Sequence, residues 1–132
     1  MGKPAAKQGD QVTGVDTHIV LVPSPGGPVP TPTPLPFTGR IVQGCCPSVL
    51  IGGRPAATAG SVALNAPPHV PPTPGSFAKP PDNRGTVIGG SATVLIGGKP
   101  AARIGDKVLT CADPAPAPNG TIMGAATVQI GP

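Results

Sequence analysis

Val94-Leu95-Ile96-Gly97-Gly98-Lys99-Pro100-Ala101-Ala102-Arg103 repeats Val49-Leu50-Ile51-Gly52-Gly53-Arg54-Pro55-Ala56-Ala57-Thr58 almost residue for residue. A third copy is divided between the ends of the chain: Val128-Gln129-Ile130-Gly131 closes the sequence and Gly2-Lys3-Pro4-Ala5-Ala6-Lys7 opens it. Internal repetition of this kind decides the fold before any local propensity does. Three units, one split across the termini, predict a closed ring with approximate threefold symmetry and adjacent ends. Within a unit, Val94 and Ile96 alternate with Thr93 and Leu95, the period of two expected of a strand. Gly97-Gly98 then supplies the positive φ angles of a two-residue hairpin turn. Alanines after the proline keep the next strand slim, so three such strands can approach a common axis. The expected fold is therefore all-β, a small three-sided cone or pyramid.

Outward from the repeats lie three proline-rich connections, residues 23–36, 67–81 and 112–118. Such runs favour stiff extended conformations and are excluded from central sheet positions. They are expected as long ordered loops wrapped on the cone. Each is followed by a β-prone stretch: Arg40-Ile41-Val42, Gly85-Thr86-Val87-Ile88 and Gly120-Thr121-Ile122-Met123.

Composition limits what else the chain can be. Its 132 residues suffice for one domain, residues 1–132, and hold 20 Gly and 22 Pro but no Glu, Trp or Tyr. Large apolar side chains are too few for a sizeable core, so strand hydrogen bonds, rigid prolines, a metal or a partner must supply stability. The net charge of +4 is spread over scattered residues with no aromatic platform, which argues against nucleic acid. No apolar core of a signal peptide follows Met1, and the apolar run at residues 19–22 is too short to span a bilayer. Synthesis in a reducing cytoplasm is the expectation, and an odd count of three cysteines suits thiols or metal ligands.

His18 and His69 each stand fourteen residues after the proline of their own unit, Pro4 and Pro55, and Cys111 follows Pro100 by eleven. One ligand per unit converging on the axis is a natural arrangement for one structural zinc ion, with iron as the alternative. A fourth ligand is expected from Cys46 or Cys45, with Cys46 preferred; Asp16, water or no fourth protein ligand are the other readings. A hydrolytic site would need an open position and a general base. The chain lacks Glu and shows no nucleophile arrangement, so an enzyme is not expected.

At Pro4-Ala5-Ala6-Lys7, Pro55-Ala56-Ala57-Thr58 and Pro100-Ala101-Ala102-Arg103 the chain resembles the PAAR-repeat family. The third copy, continued as Ile104-Gly105-Asp106, carries the motif in full, whereas the second has Thr58 for Arg and Ser61 for Asp. The resemblance implies a tip protein, one per trimer, that caps and sharpens a VgrG-type homotrimeric β-helical spike. It implies work in type VI secretion or a related contractile injection system, with transient contact to a target membrane and delivery of effector cargo. A phage tail or extracellular injection particle is the nearby alternative. The chain is expected to be a bare tip exported with its spike, so cargo is expected to bind it from outside or to travel on the spike. Spike-binding residues are unknown at this point. A separate reading is a zinc-binding, proline-rich adaptor for SH3-like modules.

Overall fold

The computed structural model describes residues 2–131; Met1 and Pro132 lie outside the described residues. Among these there is no helix. The strands are β1 (Lys3–Pro4), β2 (Gln11–Val22), β3 (Val29–Gln43), β4 (Cys46–Ile51), β5 (Arg54–Ala56), β6 (Val62–Asn65) and β7 (Ser76–Phe77). They continue as β8 (Arg84–Val87), β9 (Leu95–Ile96), β10 (Lys99–Pro100), β11 (Lys107–Thr110), β12 (Ala117–Met123) and β13 (Gln129–Ile130).

Glycine pairs turn as their sequence predicts. Gly52 and Gly53 (φ 58° and 83°) join β4 to β5, and Gly97 and Gly98 (φ 61° and 82°) join β9 to β10. Ile51 faces Arg54 and Leu50 faces Pro55, just as Ile96 faces Lys99 and Leu95 faces Pro100. β13 and β1 pair in the same register, Ile130 with Lys3 and Gln129 with Pro4. The divided repeat is thus completed in space, and the chain ends meet.

The alanines of the three units then close on one another. Ala6 N–H donates to the Ala102 carbonyl (3.0 Å), Ala102 N–H to Ala57 (3.1 Å), and Ala57 N–H to Ala6 (3.0 Å). All three are at most 1% exposed, so each methyl group fills its place and a larger side chain would overpack the axis. The residue after each alanine starts a tight turn held by a side chain three residues on. Asp10 and Asp106 accept the backbone N–H of Lys7 and Arg103, at 2.9 and 2.8 Å. Ser61 accepts that of Thr58 at 3.0 Å, so the departure in the second motif keeps the backbone contact. What it gives up is an ion pair, seen at 3.0 Å in both Lys7–Asp10 and Arg103–Asp106.

Apolar side chains form two layers that follow the same symmetry. Ala5, Ala56 and Ala101 pack with Ile51, Ile96 and Ile130 beneath the hairpins. The other layer holds Ala6, Ala57, Ala102, Val12, Ala63, Val108, Ile41, Val87 and Ile122, with Phe37 and Cys111 added without a counterpart in the other units. Around that layer β2, β3, β6, β8, β11 and β12 run antiparallel in sequence and β12 returns to β2, closing the sheet. Closure leaves no open edge there.

One expectation needs correcting. The first proline-rich connection does not form a loop along its whole length, because β3 begins at Val29 and pairs with β2 through Pro30, Pro32, Pro34 and Pro36. Strand parity explains this. Thr38 N–H points away from β2, to Asn65 Oδ1 at 2.8 Å, so even-numbered residues of β3 face the outer edge. Prolines at every second position fall on that outer parity, where the N–H they lack has no strand to meet. β2 and β3 consequently run on as a two-stranded ribbon past the closed sheet, as far as the pair Val22–Val29. The second connection stays largely loop, with β7 added to the far edge of β2.

Candidate metal centre

The ribbon positions the first two site residues. Val12, Asp16, His18 and Val20 lie on the buried side of β2, while Val15 and Thr17 are exposed between them. This is the strand period of two, and it puts Asp16 and His18 on one face. His69 arrives from the loop after β6, its backbone N–H donating to Asn83 Oδ1 at 2.8 Å. Asn83 itself has φ 57°, a left-handed conformation that Asn tolerates better than most residues. Cys111 follows β11 directly. Each unit therefore contributes to one place: Asp16 and His18 from the first, His69 from the second and Cys111 from the third.

Asp16, His18, His69 and Cys111 each offer a ligand atom, and these atoms all lie within 4.8 Å of one another. All four residues are buried. His69 Nε2 is 3.0 Å from Asp16 Oδ2, Cys111 Sγ is 3.5 Å from the same oxygen, and Cys111 Sγ is 3.9 Å from His18 Nε2. Thr110 Oγ1 donates to Asp16 Oδ1, and Asn119 Nδ2 donates to it at 3.5 Å. One carboxylate oxygen is thus held by the protein, leaving Oδ2 to face the histidines and the thiol. The His18 and His69 rings meet edge to face with centroids 4.8 Å apart.

Burial, and then the neighbouring Asp16 carboxylate, push the Cys111 thiol up to about 12. Without a cation the sulfur therefore keeps its proton. A divalent ion reverses that preference, since it stabilises the thiolate and the carboxylate together. Two imidazoles, a thiol and a carboxylate in a buried cluster are a donor set that can hold a metal ion, and zinc is compatible with it. A cavity of about 70 Å³ reaches His18 and Cys111 between residues 79–82 and 112–116.

The structure brings together His18, His69 and Cys111 as their spacing suggested, but not the preferred fourth residue. Cys46 packs against the apolar layer beneath the hairpins, and its Sγ lies 3.2 Å from Ser48 Oγ. Cys45 packs against the other layer, with burial raising its thiol pKa. Both are free thiols, and both line a separate pocket with Gly97 and Lys99. The reason is positional: Cys46 opens β4 and Cys45 directly precedes it at the hairpin base, whereas the cluster of Asp16, His18, His69 and Cys111 forms where the ribbon meets the loops of the other units. Asp16 stands in the fourth place. Thr110, Asn119, Asn83 and Asp113 support the site and were not singled out from sequence. The alternation of β11 and the nearness of Asp113 to Cys111 were the available signals.

The repeat tetrapeptide residues occupy equivalent positions in the three units: Pro4, Pro55 and Pro100 in the hairpins, the alanines at the axis, and Arg103 on Asp106. A family model described as PAAR motif matches residues 78–132. No curated protein matches the chain. Among the described residues no helix is long and apolar enough to cross a membrane.

Proposed function

We propose, from the premise that this chain belongs to the PAAR-repeat family, that it caps the end of a VgrG-type homotrimeric spike in a contractile injection system. One tip would seat on one trimer and concentrate force on a small apex during membrane puncture. The observation that carries this is the near-threefold closure: three hairpins in one register and three alanine hydrogen bonds around one axis. A monomer so built can present three near-equivalent contacts to a true trimer, which is docking with matched symmetry.

Within that role, Asp16, His18, His69 and Cys111 would hold one structural metal ion, zinc before iron. The ion would supply cross-linking of the three units and no reaction. Hydrophobic contact alone is a thin support where the ribbon and loops leave the closed sheet, and in small domains metal binding energy is folding energy. The role is structural and not enzymatic, with assembly on the cytoplasmic side and export with the spike and its cargo.

The test is co-expression with a trimeric β-helical spike from the same machine. The expected result is a complex of one chain per trimer and loss of secretion on deletion of the tip. Failure to bind the cognate spike, with the machine firing normally without this chain, would overturn the proposal.

A further inference from the structure

His18 is 1% exposed, and its Nδ1 is the buried side-chain nitrogen or oxygen without a hydrogen-bond partner among the described residues. Leaving such an atom unpaired inside a protein is unfavourable, so its surroundings are informative. The groups facing the ring are Asp16, His69, Cys111 and Phe77 on one side and Asp113 on the other. Asp113 Oδ2 stands 3.6 Å from Nδ1, just beyond hydrogen-bond contact.

Asp113 is itself anchored on both sides of His18. Its backbone N–H donates to Thr17 O at 2.9 Å, and its Oδ2 accepts the Ile19 N–H at 2.9 Å. The carboxylate is therefore fixed relative to the strand, and a small tilt of the imidazole closes the gap to about 2.9 Å. A proton on Nδ1 would meet that carboxylate favourably. A proton on Nε2 would instead turn the Nδ1 lone pair toward a negative oxygen.

We infer that Asp113 is a positioning residue that holds His18 as the Nδ1–H tautomer, so that the Nε2 lone pair faces Asp16, His69 and Cys111. This rests on the metal-holding role proposed for those residues. A carboxylate behind a ligating imidazole fixes both its tautomer and its direction.

Two measurements test it on the full chain. Long-range ¹⁵N–¹H correlation spectra of the metal-free protein report which His18 nitrogen carries the proton. Competition with a chromophoric chelator reports zinc affinity. The wild type should show the Nδ1–H pattern. Asp113→Asn, whose amide can donate to Nδ1, should shift His18 toward Nε2–H and weaken zinc binding about 10–100-fold. An Nε2–H pattern in the wild type, or unchanged zinc affinity and tautomer in Asp113→Asn, overturns the inference. If the wild type shows Nδ1–H but takes up no zinc, Asp113 keeps its assigned effect on the ring while the metal role falls.

Discussion

At the scale of single residues, the four clustered side chains and the two excluded cysteines make opposite predictions. Cys111→Ser or Asp16→Ala should abolish uptake of one zinc per chain and lower Tm by about 10 °C, the shift that roughly 2 kcal/mol brings in a domain of this size. Cys46→Ser should leave zinc content unchanged, as read by elemental analysis. Because the Cys111 thiol sits at about 12 without metal, zinc must displace its proton. Each zinc bound near neutral pH should therefore release about one proton from that thiol, and affinity should rise roughly tenfold per pH unit. Calorimetry in buffers of different ionisation enthalpy measures both. The histidines and Cys111 were legible because the repeat places one per unit at similar distances from its proline. Asp16 was legible only as a candidate, two residues from His18 on a strand. Cys46 misled because thiolates suit zinc so well, and chemistry of a ligand carries no information about which layer of a fold it occupies.

At the scale of elements, the hairpins followed directly from Gly-Gly pairs between alternating strands. The ribbon did not. A proline at every second residue was plain in the sequence from Pro30 to Pro36, but whether that parity faced a neighbour or an open edge depends on β6, whose pairing with β3 reaches only Gly39. The outcome makes the prolines an edge guard, since the outer side of β3 offers carbonyls there but no N–H at those positions. It also places them in a paired strand, unlike the free polyproline segment an SH3-like module would need. Replacing Pro30, Pro32, Pro34 and Pro36 together by Thr should restore the outer donors. The variant should keep its secondary structure by circular dichroism yet self-associate in light scattering at concentrations where the wild type stays monodisperse. Thr33→Pro, on the inner parity beside His18, should instead lower Tm through loss of a ladder bond.

At the scale of the whole molecule, the split repeat predicts that connectivity is interchangeable between units. Joining the termini through a Gly-Gly turn and opening the chain at Gly52-Gly53 should give a folded protein with Tm within a few degrees of the original. Gross unfolding of that permutant would contradict the equivalence of the three hairpins. The same feature has a mechanical side. Two of the hairpins are closed by covalent turns, whereas the third is a clasp: β1 and β13 pair at Lys3–Ile130 and Pro4–Gln129, and the Ala5 N–H donates to the Val128 carbonyl at 2.9 Å just beyond them. Pulling the two ends apart loads that clasp first, and it would unzip a pair at a time before any other strand is strained. Thrust along the threefold axis bears on all three hairpins together and does not draw the ends apart. The molecule therefore resists thrust along its threefold axis better than tension across its own seam.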